Sequence, residues 1–172
     1  MTPWPRRSSA RRRSAGSAAD LSSAYIDGLK MLGRRELSEK QVRERLARKG
    51  YEPDEVDEAV ARLREERAIN DQRVAEAIAR TETGIRKRGK VRVRMQLERA
   101  GIAKETAKRA IDDVFGSIDD EALIDASLRK RLRGRETIAD DREFARLFRY
   151  LIGQGFESDR VLRTLKAYRI KG

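Results

Sequence analysis

The densest run of chemically capable side chains is Arg86-Lys-Arg-Gly-Lys-Val-Arg-Val-Arg94, with six cations in nine positions and no acid. Guanidinium and ammonium groups offer forks and point charges to phosphates or carboxylates. With no interleaved acid, the run does not read as a salt-bridged helix face. Arg86, Lys87, Arg88, Lys90, Arg92 and Arg94 are therefore the candidate contacts for nucleic acid or an acidic protein surface. Arg88 and Arg92 would be neighbours on one face if the helix starts before them. A second cationic group, Arg11, Arg12 and Arg13, lies in residues 1–19, which hold five arginines and no acid.

Other chemistry is poorly represented. The chain has no Cys and no His, which removes disulfides, thiolate nucleophiles, Cys/His zinc sites and imidazole acid–base catalysis. Gly84 to Lys90 has the outline of a phosphate loop, G-x-x-x-x-G-K. Val91 follows where Ser or Thr would hold magnesium, and no buried strand precedes it. The pairs Asp112-Asp113, Asp119-Asp120 and Asp140-Asp141 sit near predicted helix ends, where capping and the helix dipole account for them. No catalytic residue, cofactor or metal is expected, and the chain reads as a binding protein rather than an enzyme.

The elements that must position the cations follow from composition and period. Of 172 residues, 41% are charged, against about 25% in an ordinary domain. Apolar residues make up 38% and aromatics 5%, which suits small helical cores better than a wide sandwich. The net charge is +12 and the pI near 10.4, an excess that favours acidic partners, nucleic acid above all. No apolar run approaches the roughly 20 residues that span a bilayer. The opening Met1-Thr-Pro-Trp-Pro-Arg-Arg lacks the apolar stretch of a secretory signal, so a cytoplasmic location is expected.

Residues 1–19 read as a disordered basic arm, too poor in apolar residues to offset the entropy of ordering and dispensable for folding. From Asp20 the period is helical. Tyr25, Leu29 and Leu32 share a face, as do Val56, Ala59, Val60 and Leu63. Ala107, Ile111, Val114 and Phe115 form another stripe, and Phe144, Leu147, Phe148, Leu151 and Ile152 a fourth. The alternation Val91 to Met95 merges into Leu97 at helical spacing and is read as helix. Ser38-Glu-Lys-Gln41 is a capping box, and Asn70-Asp71 and Ser158-Asp159 open further helices.

The chain also repeats. Leu46-Ala-Arg-Lys-Gly50-Tyr51 recurs as Leu97-Glu-Arg-Ala-Gly101-Ile102 and as Leu151-Ile-Gly-Gln-Gly155-Phe156, so glycines recur after 51 and then 54 residues. Each Gly is predicted at positive φ, ending a helix, with the next residue packing back on its last turn. A further helix precedes each pair, near 21–34, 71–85 and 119–132. The predicted fold is all-α: three tandem three-helix repeats, over 20–69, 70–118 and 119–172, in an elongated curved array. Residues 20–69 carry 11 basic and 12 acidic groups, 70–118 carry 12 and 7, and 119–172 carry 13 and 10. The excess charge thus lies in the arm and the last two units. Leu37 to Leu63 has the outline of a helix–turn–helix, but its second helix bears Asp54, Glu55, Asp57, Glu58, Glu65 and Glu66, which phosphate would repel.

These segments resemble the RecX family, the bacterial regulators of the RecA recombinase. Leu32 to Tyr51 resembles the family's first repeat, Ala68 to Ala75 its entry to the second, Arg88 to Ile102 its basic second-repeat helix, and Leu151 to Phe156 the turn of its third. The likeness covers about residues 21–169. It implies a protein that lies in the groove of the RecA–DNA filament and inhibits ATPase, strand exchange and coprotease activity in DNA repair and recombination; a monomer is expected. The partners it implies are the RecA filament and single-stranded or duplex DNA within or beside it, with no membrane and no catalytic site. From the residues alone, a helical-repeat protein that binds nucleic acid without sequence preference, and without RecA, stands beside this reading.

Overall fold

A computed structural model describes residues 22–170. The predicted basic arm over 1–19 lies outside the described residues. Within them the chain is all-helical, in three consecutive triplets: α1 (Ser23–Leu32), α2 (Glu39–Arg48) and α3 (Pro53–Glu65); α4 (Asp71–Arg80), α5 (Lys90–Arg99) and α6 (Lys104–Phe115); α7 (Asp120–Leu132), α8 (Asp141–Gly153) and α9 (Ser158–Ile170).

Local chemistry sets the ends. Ser38 accepts from the Gln41 amide while the Gln41 side chain accepts from the Ser38 N–H, the predicted capping box. Asn70 caps α4 and Asp140 caps α8 through their side-chain oxygens. Gly50, Gly101 and Gly155 all have positive φ, at 88°, 77° and 88°. The N–H of the next residue donates five positions back in each case: Tyr51 to Leu46, Ile102 to Leu97 and Phe156 to Leu151.

The apolar faces are mostly those read from the period. Val56, Ala59, Val60 and Leu63 are buried, as are Ala107, Ile111, Leu147 and Leu151. The stripe predicted in α1 is rotated. Tyr25 is buried, but Leu29 is 38% exposed, and Ala24 and Gly28 face the core instead. The reason is close approach: a Cβ on Gly28 would lie 2.7 Å from Leu63 Cδ1. Small residues at 24 and 28 let α1 lie against α3 more tightly than a leucine seam would.

The triplets are joined by one recurring contact. The N-terminus of each second helix meets the glycine turn that ends the second helix of the next triplet. At the first joint, Ser38 Oγ donates to the Ala100 carbonyl at 2.5 Å and the Glu39 N–H donates to Asp71 at 2.9 Å. Burial pushes the Asp71 carboxyl up from its ordinary value, against that backbone bond. At the second joint, the Gly89 N–H donates to the Gln154 carbonyl at 2.9 Å and the Val91 N–H to the Gly155 carbonyl at 3.3 Å. Asp120, the first residue of α7 as Asp71 is of α4, faces Lys90 at 3.9 Å. Positive helix ends thus meet carbonyls at negative ones.

The two joints differ in what they bury. Ala24 to Ile69 form one apolar core, and Val74 to Leu165 form a second that runs through both later triplets. The first joint is polar, with the Lys40 side chain over Gly101; the second brings backbone against backbone with Phe156 beside Gly89. Ser38→Ala removes both a cap and a buried joint bond. It is expected to cost about 1–2 kcal/mol, read in urea unfolding, with the Ala100 carbonyl left unpaired.

The α7–α8 connection is held by one carboxylate. Glu143 is buried, accepts from Arg135 at 3.0 Å, from Arg146 at 3.0 Å and from the Ala139 N–H at 3.0 Å. Chiefly the Arg135 bond, then the Ala139 amide, lowers its pKa to about 2. Because the folded value lies below the unfolded one, this stabilisation is full above about pH 4.5 and is lost as pH falls towards 2. Glu143→Gln is expected to flatten the fall in melting temperature across that window; an unchanged slope would assign the acid sensitivity elsewhere.

Candidate nucleic-acid interface

The basic run lies in the second triplet, where α4 passes into α5. After Arg80 the helix widens into a π-helical turn over Thr81–Ile85. Thr83 Oγ1 donates to the Ala79 carbonyl at 2.8 Å, absorbing part of the irregularity. The turn buries Glu82 and leaves Ile85 71% exposed. Gly84 there has open space around it.

Glu82 organises the first cations. Arg86 donates to one carboxylate oxygen at 2.8 Å and Arg88 to the other at 2.6 Å. The Arg88 N–H also donates to the Glu82 carbonyl at 3.0 Å. A buried carboxylate needs such partners. The absence of an acid inside the run therefore does not leave its arginines unpaired, because the acid comes from the preceding turn. Arg88 also precedes α5, whose cap is Gly89, so Arg88 and Arg92 are not helical neighbours as expected. Lys90 sits 3.9 Å from Asp120 and over the Phe115 ring at 5.4 Å.

The remaining candidates differ. Lys87 (at φ 54°), Arg92 and Arg94 carry no side-chain partner among the described residues. Lys90 and Arg92 also lie in the first turn of α5, which holds no acid of its own, although Asp120 of α7 faces Lys90. Cations beside the positive end of a helix reduce its stability, and of the two only Lys90 has a counter-charge among the described residues, from Asp120. Val91 and Met95, one turn apart on α5, are 50% and 37% exposed beside them. The predicted secondary contacts Arg11, Arg12 and Arg13 lie outside the described residues.

One neighbouring feature has no strong sequence signal. Arg94, Lys104 and Lys108 line a groove of about 360 Å³ between α5 and α6, but Glu98, Glu105 and Asp112 line it too, so its charge is balanced, and Ala107 and Ile111 complete it. Lys104 and Lys108 are one turn apart on α6; the docking of α5 adds Arg94. Two of the three carboxylate pairs cap helices: Asp119 caps α7, accepting from the Glu121 N–H at 2.8 Å, and Asp140 caps α8, accepting from the Glu143 N–H at 2.7 Å. Asp112 and Asp113 lie instead in the last turn of α6, the negative end of the dipole, so the expected account does not extend to them. Among the described residues no group of three or more acidic residues is placed to hold a metal, and no helix is long and apolar enough to cross a membrane.

Family models described as the first and second three-helix domains of RecX match residues 24–63 and 70–111. A Regulatory protein RecX from Syntrophotalea carbinolica is 31% identical over 81% of this chain and 92% of its own. One from Halorhodospira halophila is 32% identical over 86% and 88%. A crystal structure of RecX from Lactobacillus salivarius superposes with a TM-score of 0.65, covering 84% of this chain and 94% of that one at 19% identity, a likeness of fold.

Proposed function

The chain belongs to the RecX family, and on that premise we propose that it regulates the RecA recombinase, lying in the groove of the RecA–DNA filament and lowering its ATPase, strand-exchange and coprotease activity. The observation that carries this reading is the extent of the likeness, which runs over 92% of the Syntrophotalea carbinolica relative. Relatives named regulatory proteins support a role without catalysis, as does the lack of His and Cys. The repeated joint supports filament binding. Triplets docked at equivalent positions recur at a regular step, which suits a partner built of repeating subunits. Lys87, Arg92 and Arg94, without a side-chain partner among the described residues, supply the attraction, towards DNA or towards carboxylates of the recombinase. In this reading the protein acts as a monomer in the cytoplasm.

The test is RecA ATP turnover on single-stranded DNA with and without the protein. Turnover is expected to fall as the protein is added. Unchanged turnover from a fully helical sample would overturn the reading. The net charge of +12 favours one other reading, direct and sequence-independent binding of nucleic acid. It predicts equal affinity for bare and RecA-coated DNA, whereas a filament regulator prefers the coated form.

A further inference from the structure

A cleft of about 400 Å³ opens between the first and second triplets, and Lys87, Arg92 and Arg94 are not among the residues that line it. One side is aliphatic: Val74, Ala77 and Ile78 from α4. Arg35, Arg86 and Arg99 line it too. Its two acids are already engaged, Glu36 with Arg73 and Glu82 with Arg86 and Arg88. Arg35 and Arg99 have no side-chain partner among the described residues. Two uncommitted guanidinium forks therefore flank an apolar wall, with a third held in place by Glu82.

We infer that this cleft is a docking site for an acidic, aliphatic segment of a protein partner: a leucine-like side chain enters against Val74, Ala77 and Ile78, and carboxylates beside it are taken by Arg35 and Arg99. Charge complementarity selects an acidic ligand, and the wall selects its class. Nucleic acid gains little from aliphatic surface, since single strands are held by aromatic stacking platforms, and no aromatic side chain lines this cleft. A polyanion crossing the joint would also pass the first triplet, where residues 20–69 carry 12 acids against 11 bases. A short acidic segment needs only the cleft. Guanidinium forks pair with carboxylates through two parallel bonds, which fixes orientation as well as charge. The inference rests on the proposed function and deepens it by giving the recombinase a carboxylate-bearing contact that adjoins the start of the basic run at Arg86 but does not use Lys87, Arg92 or Arg94.

The experiment uses Arg35→Glu/Arg99→Glu, both exposed positions, with helicity as the control. Inhibition of RecA turnover is expected to need at least tenfold more of the variant, with affinity for bare single-stranded DNA and its salt dependence unchanged. Parallel loss of DNA affinity would place nucleic acid in the cleft and overturn the inference, as would unchanged inhibition. A second measurement does not depend on RecA. A peptide of acetyl-Asp-Glu-Leu-Leu-Glu-Asp-amide is titrated into the parent protein while the methyl resonances of Val74, Ala77 and Ile78 are followed. Shifts there that disappear in the double variant, and with an Asn/Gln form of the peptide, support the cleft even if the parent leaves RecA turnover untouched. In that case the recombinase reading alone falls. No shift at those methyls overturns the cleft.

Discussion

Gly155→Ala is expected to cost about 3 kcal/mol or more and to lower the melting temperature by roughly 6–12 °C at this chain length. Two effects add. Gly155 has φ 88°, where a side chain costs about 1–2 kcal/mol. Its Cβ would also lie 2.3 Å from the Arg92 backbone nitrogen, which cannot swing aside as a side chain would. Gly89→Ala should be comparable without any positive φ, because its Cβ would sit 2.3 Å from the Gly155 carbonyl oxygen. The controls separate the effects. Gly50 has the same φ of 88° with nothing within 4 Å, so Gly50→Ala should show the conformational cost alone. Gly101→Val strains φ and also meets Lys40, whose Cβ would lie 2.5 Å away and cannot swing aside as the end of the side chain can, so a clear loss is expected there too. Gly84, in open space within a helical turn, should accept alanine with no loss and a gain of up to about 1 kcal/mol. Equal melting temperatures for Gly155→Ala and Gly84→Ala would remove the joint from the account of stability.

Reversing Lys87, Arg92 and Arg94 together to Glu is expected to weaken binding to the DNA or filament by a hundredfold or more at low salt, with helicity retained. These three are the members of the run without a side-chain partner among the described residues. If they meet phosphates of single-stranded DNA, the slope of log affinity against log salt should become shallower by about two. If they meet carboxylates of the recombinase, loss of inhibition should come with little change in affinity for bare DNA. Arg88 belongs in a different experiment. Its side chain is 20% exposed and donates to buried Glu82, so Arg88→Glu would set two carboxylates together and lower thermal stability. A triple variant that inhibits like the parent would make Lys87, Arg92 and Arg94 a solvated face.

Much of the fold was legible because it is decided within a few residues. Capping at Ser38 and Asn70 depends on a side chain three positions from its amide. The positive φ at Gly50, Gly101 and Gly155 follows from a helix ending where the chain must turn left-handed. Heptad-scale stripes such as Val56 to Leu63 survive in the core because a helix presents the same face whatever covers it. The lack of His and Cys, the charge and the density of cations from 86 to 94 are properties of the chain itself.

What tertiary structure alone decided lies in distances between parts remote in sequence. Gly89 and Gly155 gave no sign of each other, yet their backbones touch, and that contact fuses the last two triplets into one core while the first keeps its own. The α1 stripe turned away from Leu29 because Gly28 permits a nearer approach to Leu63 than side-chain period suggests. The basic run divided into held and free cations because a π-helical turn carried Glu82 under Arg86 and Arg88, and because α7 brought Asp120 to Lys90. Residue type sets what a side chain can bond; the docking of helices sets which partner is within reach, and charge pairing falls off too steeply with distance for one to be read from the other.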